Sequence, residues 1–435
     1  MIAFFQWHEI ALATLGLLFV FLLTGVPVAV ALGAVGVLTT YLFLDHGGVI
    51  AYAAWKVSNS FILGAIPLFI FMGQLLLHSG ISRRIYDGSS ALVGGTKGGL
   101  LQSNIVASGI FSAVTGSSVA TAATIGAMAI PELERRGYDP QLTKGSLAAG
   151  GTLGILIPPS TALIIYGVIV EESIGDLFIA GILPGLMLAG LFMLYIWFRV
   201  LARPNIAPTF VATSAKERLN DILDMWPVFL IMLVILAGIY MGIMTPAEAA
   251  AVGASMALLF VVAYRKLTWD VLRSSLLGTV KSTSMLVFIM INASIVSGAL
   301  ALSHIPDQLA EWVLGLGLAP MMIFIIICLM YVILGMFIDT VSMIVMTLPI
   351  VFPIIVNLGH DPVWFGIIIV ILVEMGMITP PVGLNVYTIH GIRPDEPLSQ
   401  VVLGSLPFVL IMATAIALLT LFPSIATFLP STIER

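Results

Sequence analysis

Charge is what this chain has least of. Only 9% of its 435 residues are Asp, Glu, Lys or Arg, while 60% are hydrophobic; mean hydropathy is +1.14. A soluble domain carries about 25% charged residues, and no water-facing surface can be built from so few. A soluble enzyme and a disordered chain are therefore excluded, and the lipid bilayer is the expected partner of most of the surface. Cysteine is nearly absent too. The single Cys328 lies in an apolar run, which excludes a disulfide-built fold and reads as inert packing. The net charge of −5 is small, and no basic tract offers itself to nucleic acid. Residues Met1–Glu9 carry no Lys or Arg ahead of the first apolar run, so a cleaved signal peptide is not expected. No phosphate-cradling glycine loop, catalytic motif or metal motif stands out, and no enzymatic activity is expected.

What is present is a series of apolar runs, and the fold class is an all-α polytopic membrane protein. A spanning helix needs about 20 apolar residues. Such runs occupy 9–23, 26–44, 61–79, 141–170, 176–200, 226–243, 246–264, 275–303, 362–390 and 398–428. Two more apolar regions, 97–136 and 312–357, each consist of two shorter arms meeting at a small polar tip. The tips are Gly116-Ser117-Ser118 and Asp339-Thr340. Backbone that turns at membrane depth is tolerated only where protein or a water-filled cavity covers it, so both regions read as re-entrant helical hairpins. Basic residues (Arg83, Arg84, Lys97, Arg135, Arg136, Lys144, and later Arg199, Arg265, Lys266 and Arg393) gather on one side if the spans alternate. The opposite loops hold Asp45, Glu171, Glu172, Asp176, Asp307, Glu311 and Asp361. The positive-inside rule makes the basic side cytoplasmic.

The halves repeat at an offset of 222 residues. Pro131, Gly137, Asp139 and Pro140 match Pro353, Gly359, Asp361 and Pro362; Gly154, Pro158 and Pro159 match Gly376, Pro380 and Pro381. These residues set backbone geometry, so their coincidence marks a structural repeat rather than shared hydrophobicity. The base of the first hairpin is basic and that of the second acidic, which implies opposite orientations: an inverted-topology repeat, common among secondary transporters. Each repeat also places two prolines within a span. Proline removes a backbone donor and clashes with the preceding turn, so each of these helices is interrupted. The freed carbonyls and half-helix ends suit cations and anionic groups; a simple proline kink is the alternative. The expected division is scaffold helices over 1–79, a first transport repeat over 80–200 (hairpin 97–136, broken helix 141–170), and a connector over 201–225. Scaffold helices follow over 226–303, then a second transport repeat over 304–435 (hairpin 312–357, broken helix 362–390) that closes with the last helix.

The segment 242–251 (GIMTPAEAAA), the tip Gly116–Thr121, the segment 131–140 (PELERRGYDP) and the paired Pro-Pro breaks resemble the large membrane subunit of tripartite ATP-independent periplasmic (TRAP) transporters of the C4-dicarboxylate and sialate type. The match runs over essentially the whole chain. The resemblance implies an elevator-type, sodium-coupled importer of organic acids in a bacterial inner membrane. It further implies a small four-helix membrane subunit, expected on another polypeptide, and a periplasmic binding protein that delivers the substrate.

Spacing and resemblance together suggest two sodium sites. The first combines Ser117 and Ser118 with backbone oxygens around Gly154, Ile157 and Pro158. The second combines Asp339 and Thr340 with Gly376, Met377 and Thr379. For Ser117 and Ser118 the alternative is small-residue helix packing; for Asp339 it is an ion pair with Lys281 or Arg273. An unpaired carboxylate at membrane depth costs a few kcal/mol and is functional by default. Thr121, Ser342, Asn385 and Thr388 are substrate candidates between the tips, each equally able to cap or pack. Glu374, also intramembrane, has a coupling or a structural role. Lys144 is expected to snorkel to the interface, and Glu248 to cap its helix. Competing readings are a stand-alone ion-coupled carboxylate carrier, a proton-translocating subunit of a membrane redox complex, and a passive channel. The redox role calls for Lys and Glu strung along mid-membrane helices, where only Asp339, Glu374 and Lys281 qualify.

Overall fold

The structure, a computed structural model, describes residues 7–44, 47–208 and 214–432. Asp45, counted above among the acidic loop residues, and the first six residues lie outside the described residues. Every described element is helical. The first half opens with α1 (Trp7–Leu23), α2 (Val28–Thr39, continued by a π-turn to Leu44), α3 (Gly48–Ser58) and α4 (Ala65–His78). A bend of 53° separates α3 from the segment beginning at Ile62. Next come α5 (Ile81–Val93), the hairpin α6 (Leu100–Thr115) and α7 (Ser118–Arg135), the interrupted pair α8 (Pro140–Leu156) and α9 (Thr161–Val170), and the long α10 (Ile174–Ala202).

The second half begins with α11 (Ala215–Leu223), α12 (Trp226–Tyr240), α13 (Pro246–Ala263) and the 34-residue α14 (Trp269–Leu302). The sequence of the first repeat then recurs: α15 (Ile305–Gly315), hairpin α16 (Pro320–Gly335) and α17 (Thr340–Asn357), interrupted pair α18 (Pro362–Met377) and α19 (Leu384–His390), and α20 (Leu398–Leu421) before the short α21 (Ser424–Ser431). Among the described residues, six helical stretches are long and apolar enough to cross a bilayer, or up to eight if each bent pair is one span. One of the six is α17, an arm of the second hairpin, whereas α1, α2 and α18 are apolar but shorter.

Local chemistry explains why the elements start where they do. The offset of 222 extends to the helix caps. Asp139 and Asp361 stand before Pro140 and Pro362, where proline's missing N–H costs nothing. Their carboxylates accept from Leu142 N (2.7 Å) and Trp364 N (2.8 Å). Ser117 and Asp339 cap the second arms of the hairpins, accepting from Ala120 N (3.4 Å) and Ser342 N (3.1 Å). Thr245 and Glu248 form a reciprocal capping box on α13, the role expected for Glu248.

The repeats are inverted in space. Lys144, near the start of α8, donates to Glu396 and, at 2.7 Å, to Gln400, both of which follow α19. At the other end of the pair, Tyr166 of α9 donates to the Pro362 carbonyl that starts α18 (2.6 Å). The two interrupted helices therefore run antiparallel, the beginning of each beside the end of the other.

Two expectations need correction. The second hairpin begins at Pro320, not at 312: α15 runs to Gly315, and Gly317 at φ +68° breaks the chain between them. The connector expected over 201–225 is partly helical. Its α11 is capped by Ser214 and Glu217, and Arg218 donates to the carbonyls of Ala91 and Leu92 at the end of α5. Lys144 does not snorkel; only 2% exposed, it sits among Glu396 and Gln400 while Arg393 pairs with nearby Glu134 at 3.1 Å.

The Lys144 hydrogen bond, more than any other contact, holds the Glu396 carboxyl below the usual carboxylate range. A depressed carboxylate stabilises the fold above the ordinary range, and that contribution fades as pH falls through its folded value. Removing the acid strands a buried ammonium, a loss of roughly 3 kcal/mol, whereas an apolar side chain in place of the lysine is tolerated better. In detergent, Glu396→Ala should lower the melting temperature more than Lys144→Met. Both variants should lose part of the wild type's acid-side decline in stability. Equal melting temperatures would contradict a buried ion pair at this joint.

Candidate substrate and ion site

The two hairpin tips and the two helix breaks meet, and each break is tied to the tip of its own repeat. Thr161, just beyond the first break, donates through its hydroxyl to the Gly116 carbonyl at the first tip (3.1 Å). Gly383, beyond the second break, donates its N–H to the Met336 carbonyl at the second tip (3.2 Å). The glycines preceding the breaks permit this closeness. A Cβ on Gly154 would stand 2.9 Å from the Ser117 backbone, and one on Gly376 would stand 2.5 Å from the Cα of Gly335. No side chain fits at either place.

Glu374 joins the two halves. It is 1% exposed and lies on α18 one turn before the second break. Its carboxylate accepts from Ser118 Oγ at 2.5 Å and from Thr340 Oγ1 at 3.3 Å. Ser118 and Thr340 are the first helical residues after the two tips and stand opposite one another at the repeat offset. Thr340 also lies 3.0 Å from Met377 Sδ, so its hydrogen is shared.

Beside this junction is a cavity of about 410 Å³. The tips form one wall through Gly116, Ser117, Ser118, Asp339 and Thr340, with Met377; α4 and α14 form the other through Gln74, Ser282 and Met285. Its size falls in the range of small-molecule sites. Among the described residues, Asp339 is the only charged one on it, and neither Lys281 nor Arg273 is paired with Asp339.

The candidate ion ligands are thus largely assembled. Ser117, Ser118, Asp339, Thr340 and Met377 line the cavity; Gly154 lies directly behind the first tip. Ile157 and Pro158 continue into the first break, where the Ile157 N–H still bonds Leu153 O at 3.1 Å. Thr379 donates its hydroxyl to Met375 O (2.6 Å) and its N–H to Gly376 O (3.0 Å), so part of the second break is engaged in its own turn.

The substrate candidates are not brought together. Thr121 is buried inside the first hairpin, its hydroxyl 3.1 Å from that of Thr115, and does not line the cavity. Thr388 bonds back to Leu384 O (2.7 Å) along its own helix. Asn385 is buried behind the first hairpin, where its Nδ2 reaches Ala148 O at 3.4 Å and its Oδ1 has no partner. Ser342 faces an adjoining gap between α2 and α14, shared with Asp339, and its buried Oγ is also unpartnered. Gln74, Thr115, Thr161 and Ser282 line the cavity but were not singled out from the sequence. Gln74 was the findable one, an uncharged polar residue within the apolar run of α4.

A second crevice of about 480 Å³ opens along the same seam, lined by Lys56, Glu171, Ser294 and Pro349 among others. On α14 it begins at Met290, eight residues beyond Ser282, about 12 Å along the helix. The exposed Lys56–Glu171 ion pair (3.3 Å) crosses the seam there.

Inverted repeats, paired hairpins and interrupted helices converging on a central polar cavity define a multi-pass membrane transport protein. A family profile described as "Tripartite ATP-independent periplasmic transporter, DctM component" matches residues 15–425. The chain belongs to this family. It is 38% identical to the C4-dicarboxylate TRAP transporter large permease protein DctM of Pseudomonas aeruginosa, over 92% of this chain and 94% of that one. The corresponding Rhodobacter capsulatus protein is 36% identical, over 97% and 99%. In fold it is similar to the Alcanivorax borkumensis YdaH transporter, with TM-score 0.59 and 14% identity, covering 90% of this chain and 88% of that one.

The packing of tip against break makes a direct prediction. Gly154→Ala should displace the first tip and cut uptake at least about tenfold, because a new Cβ meets backbone that cannot yield without repacking. Gly190→Ala, which meets nothing within 4 Å, should transport normally. Equal uptake by the two variants in proteoliposomes would show that tip position is not limiting.

Proposed function

We propose that this chain is the membrane permease of a sodium-coupled importer that receives an organic acid from a periplasmic binding protein. A small four-helix membrane subunit completes the complex in the bacterial inner membrane. The observation that carries the reading is the cavity at which both hairpin tips meet α4 and α14. A sodium ion takes oxygen ligands. The hydroxyls of Ser117, Ser118 and Thr340, the Asp339 carboxylate and carbonyls freed at the breaks are a suitable set. The unpartnered Ser342 Oγ adds a buried oxygen without a proton donor beside Asp339. Sodium is here co-transported cargo rather than a resident cofactor.

The acid's charge would be met without a basic side chain, since no Lys or Arg among the described residues lines the cavity. The N-terminal ends of α7 and α17 point their partial positive charge toward the tips, and bound sodium would add to it. The relatives' substrate class, C4-dicarboxylate in their names, suits these terms. Two recesses at successive positions along one seam support an elevator. Hairpins and interrupted helices would slide as a body past α4 and α14, exposing the cavity alternately to the two sides.

The test is uptake of labelled C4-dicarboxylates and sialate into proteoliposomes holding this chain, its small subunit and the cognate binding protein. Uptake should require an inward sodium gradient and the binding protein, and Asp339→Ala should abolish it. Uptake without the binding protein would instead support a stand-alone carrier, and uptake indifferent to sodium would remove both ion sites.

A further inference from the structure

Among the described residues, the group that ties the first hairpin tip directly to the second is a side chain, and it breaks the symmetry of the repeat. The residue opposite Glu374 at the repeat offset is Thr152, whose hydroxyl bonds only its own helix, at Ala149 O (2.6 Å). Glu374 by contrast reaches Ser118, 256 residues away in the chain, and Thr340, 34 residues away. It does not line the cavity; the two hydroxyls stand between it and that space.

We propose that Glu374 is the positioning residue of both cation sites. The inference rests on the sodium-coupled reading above and assigns its regulation to one carboxylate. A hydroxyl has one hydrogen and two lone pairs. When Ser118 and Thr340 give their hydrogens to Glu374, their lone pairs turn away from it, toward the cavity, where a cation needs them. A carboxylate can accept from both hydroxyls at once because it has no hydrogen of its own to offer. One acceptor thereby presets a ligand at each tip, and a shift of either tip is felt by the other through Glu374. The first tip depends on it more. Its bond is 2.5 Å with no other acceptor recorded, whereas Thr340 divides its hydrogen between Glu374 and Met377 Sδ.

Glu374→Gln preserves shape but not this arrangement. Its amide oxygen can serve one hydroxyl, while its NH₂ must donate to the other and occupies a lone pair meant for the cation. The experiment is sodium titration of uptake at saturating substrate in proteoliposomes of the complete complex, for wild type, Glu374→Gln, Ser118→Ala and the double variant. Half-saturating sodium should rise about tenfold in Glu374→Gln, the order of one hydrogen bond to a charged group, with the maximal rate kept within about twofold. The double variant should fall short of the product of the single effects, because the part of Glu374's effect that runs through Ser118 is already lost in Ser118→Ala. A Glu374→Gln titration that overlays the wild type, or single effects that multiply in the double variant, would overturn the proposal. If Glu374→Gln does not assemble, Glu374→Asp, which retracts the carboxylate by one methylene, should raise half-saturating sodium likewise; an unchanged value overturns it equally. Wild-type uptake that ignores sodium would refute the underlying reading, and with it this one, by a different arm of the same experiment.

Discussion

Backbone that stops within a bilayer must have its N–H and C=O groups satisfied by protein, because the hydrocarbon offers none. Both helix breaks and both hairpin tips create such groups at the same depth, and the surrounding structure supplies the partners. Ser117, Ser160 and Asp339 cap the helices that restart. Thr161 answers the Gly116 carbonyl and Gly383 answers Met336, so each tip is finished by the break of its own repeat. The close approach that these bonds require forbids a side chain at Gly154 and Gly376. At the two tips, Ser117, Ser118, Asp339 and Thr340 face one cavity.

Seen this way, binding capacity is the residue of an incomplete solution. In the sodium-coupled reading proposed above, the carbonyls and hydroxyls not consumed in capping are those that would serve an ion. The site is built from neutral oxygens and one aspartate, and so avoids burying net positive charge in the absence of cargo. Glu374 adds a second level of order. It contributes no surface to the cavity but turns the hydroxyls that do.

The two repeats are held together differently from the centre where their tips meet. At one end, the ion pairs of Lys144 with Glu396 and of Arg393 with Glu134 bring both repeats into contact. At the other, Tyr166 bonds Pro362 and Trp364 bonds Leu419. These contacts fix the antiparallel placement of the interrupted helices, while the seam along α4 and α14 holds recesses and one exposed ion pair. Firm bonding within the body and a loosely joined seam beside it are compatible with movement of one past the other.

Much of this was legible from the residues alone. Proline, glycine and capping side chains act on backbone within about four positions, so the breaks, tips and repeat could be located by spacing, whereas the ion-ligand candidates rested on spacing and resemblance together. The start of the second hairpin was misplaced, because the apolar pattern of α15 runs on toward α16 and only the turn at Gly317 separates them. Which face each helix turns inward was not legible. Several of the helices here are apolar all round, and without an amphipathic stripe the sequence does not mark the buried side. Thr121 inside its hairpin, Lys144 in an ion pair and Glu374 between two tips were therefore decided by tertiary packing. The sequence by itself determined where the helices stop; only the folded chain decided which of those ends would meet, because long-range polar contacts depend on faces that hydrophobicity does not distinguish.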